Sequence, residues 1–376
     1  YENTIPQLFV PNVFSFATEG KELFIGGVRT PLEFWAPWRI ENDKDELSQV
    51  LGLNDVAGQL THLLKPSTLL DILQYYTVYA TNSKKKKIKV VCRYQQYEGA
   101  NAIVERVKEG KIKKGLIWHF QGSGKSLLML FAAQKLRKQQ DLNNPTVIIV
   151  VDRVDLDTQI TATFNTAEVP NMVTTDSIKE LHKLLEADTR KIIITMVHKF
   201  KDAYPDMNKR GNIIVMVDEA HRTQEGDLGR KMRNALPNAF LFGLTGTPIN
   251  KADKNTFWAF GAEQDSGGYM SRYTFQESIR DNATLPLHFE PRLPDYHIDK
   301  EGLDVAFKEL ANDLSEEDRN KLSKKAANMA VFLKSPERVN TIVADIVEHF
   351  KTHVEPEGLK AMIVTPDRYA CIQYKE

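Results

Sequence analysis

The sequence predicts an α/β protein built on a parallel sheet. Between residues 88 and 285, short apolar runs alternate with amphipathic helical stretches; the runs are "GLIWHF", "TVIIVV", "NMVTT", "KIIITM", "NIIVMVDE" and "FLFGLTG". Strands apolar on both faces belong to a sheet covered by helices on both sides, and helices between successive strands make the pairing parallel. Polar or glycine residues follow nearly every run. Such sheets bind ligands at the carboxyl ends of their strands, so any chemistry is expected there. The balance of 42% hydrophobic and 27% charged residues is that of a globular chain and excludes a disordered one.

The elements follow in order. Residues 1–38 hold "NVFSFATEG" and "KELFIGGV", read as a strand, a turn and a second strand with a proline-bounded exit at "WAPWR". Two strands are too few for an independent core, so this piece is expected to finish a larger domain. Residues 39–87 are predicted to be a helical linker, carried by "ELSQVLGLNDVAGQLTHLL" and "PSTLLDILQYYTVYA". The charge run "SKKKKIK" at 83–89 reads as a solvated loop. Residues 88–285 form the sheet domain. From 286 the character changes: "LPLHFEPRLPDYHIDK" carries three prolines, 303–333 reads as charged helices, and 336–352 as an amphipathic helix opened by Ser335 and Pro336. "LKAMIVT" then predicts a buried strand, so 286–376 is expected to begin a second α/β domain. The sequence opens on Tyr1 and closes shortly after that strand; both ends give the expectation of a piece of a longer protein.

Lys+Arg and Asp+Glu both number 50, so nucleic-acid binding would have to come from local patches. Cys92 and Cys371 make neither a disulfide framework nor a metal-ligand spacing. With no apolar run of membrane length and no signal-peptide pattern, the expected location is the cytoplasm.

The chemistry concentrates in four stretches. In "IWHFQGSGKSLLML", Gly122 and Gly124 permit backbone angles that turn successive N–H groups inward, with Ser123 between them. The helix starting near Lys125 adds its positive end; Lys125 can reach the β- and γ-phosphates of a nucleoside triphosphate, and the Ser126 hydroxyl can bind Mg²⁺. The full phosphate-loop pattern wants a glycine where this chain has His119. In "NIIVMVDEAH", Asp218 and Glu219 end a buried strand. Asp218 is placed to hold the Mg²⁺ and Glu219 to polarise the attacking water, because phosphoryl transfer is stabilised mainly by charge and positioning. In "FLFGLTGTPI", the hydroxyls of Thr245 and Thr247 can bond to His221 or join a network that reports the γ-phosphate to another domain. Upstream, "CRYQQYEGANAIVERV" sets Arg93, Tyr94 and two glutamines at a helix start. A glutamine amide can both donate to and accept from an adenine edge, with Gln96 favoured and Gln95 the alternative.

"QGSGKS", "VDEAH" and "LTGTP", in this order, resemble motifs I, II and III of superfamily 2 helicases and translocases, and "RYQQ" resembles their adenine-recognising Q motif. "VVDRVDLDTQ", "IIITMVHKF", "VDEAHRTQEG", "IPQLF" and "WAPWR" resemble the motor subunit of type I restriction enzymes more closely. The resemblance implies a RecA-like motor domain at 88–285 and a truncated second one at 286–376. It implies that 1–38 are the last strands of a PD-(D/E)xK nuclease domain whose cutting residues lie outside this sequence. It implies ATP and Mg²⁺ as cofactors, and double-stranded DNA with modification and specificity subunits as partners. Arg153, Thr175 and Lys199 match positions that contact DNA. The implied activity is ATP-driven translocation of duplex DNA before cleavage, with the 376 residues by themselves expected to turn over little ATP. The alternatives are another superfamily 2 helicase or remodelling motor, and a nucleotide-binding scaffold without turnover.

Overall fold

The computed structural model describes residues 4–40, 56–81, 87–151, 170–223, 227–250, 255–292 and 333–375. The chain divides into two compact units, Tyr1–Pro286 and Leu287–Glu376.

In the first unit, β1 (Phe14–Thr18) and β2 (Leu23–Gly27) make an antiparallel hairpin, to which β3 (Ala36–Pro37) adds. Helices α1 (Val56–Leu64) and α2 (Pro66–Tyr75) follow, with Pro66 in the first turn, where a missing N–H does no harm. Residues 77–81, included in the predicted helical linker, are instead strand β4 (Thr77–Thr81), antiparallel to β5 (Lys87–Val91). "TVYAT" is rich in β-branched and aromatic residues, and cross-strand pairing with β5 decides its state.

The centre of the unit is a seven-stranded, wholly parallel sheet. It comprises β6 (Lys114–His119), β7 (Thr146–Val151), β8 (Met172–Thr174), β9 (Ile192–Met196), β10 (Ile213–Asp218), β11 (Phe240–Thr245) and β12 (Ser271–Tyr273). Their spatial order is β12-β6-β11-β10-β7-β9-β8. Every residue of β7 and β10 is buried, as strands covered on both faces require. Alternate residues serve opposite cores: Val147, Ile149 and Val151 on one side, Ile148 and Val150 on the other. Helices α3 (Tyr94–Glu109) and α4 (Lys125–Lys138) pack in the first core. Strand β12 was not expected from the sequence, because it is three residues long with an exposed arginine at its centre and presents no apolar run.

Arg39, just after the hairpin, is pinned to the sheet domain. Its guanidinium donates to Asp281 Oδ1 at 2.8 Å and to Glu22 Oε1 at 3.0 Å. Asp281 also accepts from the hydroxyls of Tyr94 and Tyr273, at 3.2 and 3.1 Å. A buried carboxylate with this many donors is paired on every side, as burial of a charge demands.

In the second unit, α5 (Pro336–His349) occupies the predicted amphipathic stretch, while the predicted charged helices at 303–332 lie outside the described residues. The strand predicted at "LKAMIVT" does not form: residues 359–365 have no regular structure, and Met362 and Val364 are 86% and 81% exposed. An apolar run becomes a strand only with a neighbour to take its backbone hydrogen bonds, and no strand among the described residues pairs with it.

Phe131 on α4 is fully buried, 5.4 Å from the ring of Tyr76. Phe131→Ala is expected to lower unfolding free energy by about 3–5 kcal/mol, measured by denaturant titration; a loss under about 1 kcal/mol would contradict this packing.

Candidate active site

The sheet order places β6, β11 and β10 side by side. The register sets Trp118 of β6 level with Thr245 of β11, and Leu244 of β11 level with Asp218 of β10. Their carboxyl ends therefore present the turn 120–124, the Thr245–Thr247 segment and the acidic pair along one edge.

The turn is shaped by its glycines. Gly122 and Gly124 both have φ of +85°, a left-handed conformation that a side chain would strain. Gly124 carries a second constraint, because a Cβ there would lie 2.1 Å from Gln96 Nε2. That amide donates to the carbonyls of Gly124 at 3.1 Å and Ser123 at 3.4 Å, while Gln96 Oε1 accepts from the Arg93 N–H at 2.9 Å. Gln96 is buried and committed at both ends, so in this geometry it braces the loop; the adenine contact expected of it is not available. Gln95 donates through Nε2 to the Ser123 carbonyl at 3.4 Å, and its Oε1 is buried without a partner. Tyr94 packs in the core with its hydroxyl on Asp281. Ser123 is fully buried; its N–H donates to the Phe120 carbonyl at 3.2 Å, so it serves the loop through its backbone.

Lys125 opens α4. Its ammonium donates to the His119 carbonyl at 3.4 Å, across the mouth of the turn. His119, standing where the phosphate-loop pattern wants glycine, does not obstruct it. The side chain is fully buried with Nε2 2.7 Å from Ser271 Oγ, and burial, reinforced by the Lys125 charge, depresses its pKa to about 3. At neutral pH it is an uncharged core residue. Ser126 is partly exposed in the first turn of α4.

Asp218 is 5% exposed. Burial raises its pKa to about 6, against the opposing pull of Lys125; Glu219 adds to the rise and the Glu219 N–H, donating to Oδ1 at 3.0 Å, reduces it. A desolvated carboxylate facing a lysine is suited to a divalent cation. Magnesium in phosphate sites takes one or two protein oxygens plus phosphate oxygens, so Asp218 and Ser126 are a fitting donor set. Glu219 sits at φ +45°, a conformation costing an L-residue about 1–2 kcal/mol. This turns its carboxylate back to within 3.3 Å of His221 Nδ1. The same nitrogen lies 2.8 Å from Thr245 Oγ1, which also accepts from the Thr247 N–H at 3.2 Å. The acidic pair and the Thr245–Thr247 segment are thus joined through His221.

The raised pKa has a stability consequence. Asp218 is protonated in both folded and unfolded chains below about pH 4 and contributes nothing there. As pH rises from about 4 to 6 the unfolded chain ionises first, and above about 6 the fold carries the full penalty, up to about 3 kcal/mol in the absence of a cation. Asp218→Asn is therefore expected to stabilise the metal-free chain at pH 7.5 and to leave it unchanged near pH 4. Thermal denaturation at both pH values checks this; equal shifts at both would contradict it.

Of the expected DNA contacts, Arg153 lies outside the described residues. Thr175 and Lys199 are buried, at 1% and 4% exposure. Lys199 Nζ donates to the Thr175 carbonyl, and Thr175 Oγ1 lies 2.8 Å from Thr195 Oγ1. Both side chains are turned inward to tie β8 to the turn after β9, so neither is displayed to a phosphate. Among the described residues no helix is long and apolar enough to cross a membrane.

A RecA-like sheet with a phosphate-binding turn, an acidic pair and a threonine-bearing third strand end defines a nucleoside-triphosphatase class. The family model described as SWI2/SNF2 ATPase matches residues 95–320, and the chain belongs to that family. It is also similar, along 99% of its length and at 32% identity, to the type I restriction enzyme HindI endonuclease subunit of Haemophilus influenzae. A second relative is the type I restriction enzyme SsaAORF53P endonuclease subunit of Staphylococcus saprophyticus, 29% identical over 59% of this chain and 24% of that one. The chain spans 37% of the HindI subunit, well under half the relative's length. Among solved structures, the ATP-dependent type ISP restriction-modification enzyme LlaBIII bound to DNA aligns with 54% of this chain and 16% of that one, at 17% identity and a TM-score of 0.37. The Sulfolobus solfataricus SWI2/SNF2 ATPase core in complex with double-stranded DNA aligns with 49% of this chain and 36% of that one, at 17% identity and a TM-score of 0.35.

Proposed function

We propose that this chain supplies the ATP-hydrolysing centre of a double-stranded DNA translocase within a type I restriction endonuclease subunit. The observation that carries the reading is the alignment of Lys125, the Asp218–Glu219 pair and the His221–Thr245–Thr247 link on adjacent strand ends. On this reading Lys125 exchanges the His119 carbonyl for the β- and γ-phosphates, and the N–H groups opening α4 meet the phosphate charge. Asp218 and Ser126 hold Mg²⁺, which neutralises the developing charge on the phosphates when bound. Glu219 orients the attacking water and accepts its proton. His221 passes the state of Glu219 to Thr245 and Thr247, which act as the coupling element toward a second motor domain. Arg153 is the DNA-contact candidate we retain. Modification and specificity subunits are the proposed partners, and the cytoplasm the proposed location.

The test is displacement of a third strand from duplex DNA by the protein assembled with those subunits. The reading predicts displacement that requires ATP, Mg²⁺ and residues Lys125 and Glu219. ATP hydrolysis stimulated by DNA without any displacement would overturn translocation.

A further inference from the structure

The strands that end at the phosphate-binding turn and the acidic pair begin at a second concavity, at the opposite end of the sheet. The register sets Lys114 of β6 level with Leu241 of β11, and Leu241 level with Val215 of β10. Residues level with one another on adjacent strands share a face, so these three form one row. The helix Asp227–Ala235 and the turn after it meet this row and leave a pocket of about 290 Å³, with Met232 and Leu236 completing its apolar floor. Small-ligand sites run from about 300 to 1,000 Å³, so this one has room for a side chain or two and not for a whole ligand.

The rim of the pocket is cationic. Lys113, Lys114 and Arg233 line it, and among the described residues no aspartate or glutamate does. In a chain with equal numbers of acidic and basic residues, this is a local excess of positive charge. The Lys113 ammonium donates to the Asn238 carbonyl at 2.8 Å and the Lys114 ammonium to the Trp258 carbonyl at 3.3 Å; neither reaches a carboxylate among the described residues. Asp265 is taken at both oxygens by Arg106, whose Nη1 also donates to the Lys114 carbonyl. A carbonyl leaves the charge of an ammonium largely uncompensated, so a carboxylate arriving from outside is favoured at both lysines.

One more feature stands beside the pocket. Trp258, on the short helix Thr256–Phe260 and next to Ala259 in the pocket wall, is 70% exposed. Tryptophan is among the residues that most often anchor protein–protein contacts, and an apolar centre inside a polar rim is the anatomy of such contacts.

We propose that this end of the sheet docks an acidic segment of another polypeptide, one apolar side chain of which fills the pocket while its carboxylates meet Lys113 and Lys114. The two requirements act together. Duplex DNA brings negative charge but no apolar side chain for the floor formed by Val215, Met232, Leu236 and Leu241. An apolar segment without acids leaves the two ammoniums unmet. The pocket lies roughly 15 Å back along the strands from their carboxyl ends, so the docked segment leaves Lys125 and Asp218 accessible.

The experiment measures, by fluorescence anisotropy, binding of a labelled set of short peptides in which glutamates flank a central Leu, Phe or Ser. The Leu or Phe peptide should bind about 10- to 100-fold more tightly than the Ser peptide, the range for losing a central anchor. Lys113→Glu with Lys114→Glu should weaken binding at least about 10-fold at low salt, and added salt should weaken the wild-type complex. Ala259→Leu, which fills the pocket from its own wall, should weaken the Leu and Phe peptides and leave the Ser peptide unchanged. The unfolding midpoint of each variant reports its fold, and the double lysine variant decides if Ala259→Leu fails to fold. No binding of any peptide, or equal binding of the Leu, Phe and Ser peptides, would overturn the proposal. So would displacement of the peptide by duplex DNA, or self-association of the chain that the lysine reversals abolish, since either puts a different occupant on this face.

Discussion

Replacing Lys125 with alanine is expected to lower ATP turnover by at least about 10²–10³-fold, the loss typical of removing one preorganised group aimed at transition-state charge. The side chain reaches only the His119 carbonyl, at 3.4 Å, and lies at a half-exposed helix start. Its removal deletes no core contact, so unfolding free energy should move by no more than about 0.5 kcal/mol. One effect is less direct. The Lys125 charge holds down the pKa of Asp218, so the variant should bind Mg²⁺ less well at mildly acidic pH, where more of the carboxylate is protonated. Phosphate release measured from pH 6 to 8 checks both effects. Turnover near wild type in a folded Lys125→Ala protein would remove the phosphate-binding assignment.

Glu219→Gln is expected to keep nucleotide binding and to lose about 10²–10⁴-fold in turnover, the usual contribution of a positioned general base. The two residues of the pair should separate cleanly. Asp218 is buried at the strand end, whereas Glu219 is turned out by its positive φ toward His221. Asp218→Asn should weaken the Mg²⁺-dependent part of binding, and Glu219→Gln should leave it unchanged. A glutamine keeps a hydrogen-bonding atom near His221, so the link to Thr245 survives and the loss falls on the chemical step. Single-turnover kinetics with bound ATP reads this directly; equal effects of the two substitutions on Mg²⁺ dependence and on turnover would contradict the division of roles.

Much of this site was legible because it is local. Gly122, Gly124, Lys125 and Ser126 are neighbours in sequence, and Asp218, Glu219 and His221 follow one buried strand. Apolar runs gave six of the seven sheet strands, because a strand buried on both faces must be apolar throughout. What the sequence could not display depends on contacts between distant residues. Gln95 and Gln96 look equivalent in "RYQQ"; the bare α-carbon of Gly124, 28 residues away, lets Gln96 in and leaves Gln95 Oε1 bare. Arg39 and Asp281 are 242 residues apart, and nothing near either one announces the other. Thr175 and Lys199 read as surface contacts, yet the approach of β8 to β9 turns them toward each other. "LKAMIVT" shows the opposite error, since an apolar run alone does not supply the neighbour that makes it a strand.

One triphosphate site assembled from Lys125 and the acidic pair carries the proposed function, and equilibrium binding of Mg²⁺ and ATP tests it most directly. Titration calorimetry on the wild-type chain should give saturable binding that is strengthened by Mg²⁺. In Lys125→Ala that binding should fall to the limit of detection, and in Asp218→Asn the Mg²⁺ enhancement should disappear. Binding of equal strength in wild type and Lys125→Ala, or a Mg²⁺ enhancement untouched by Asp218→Asn, would contradict the account.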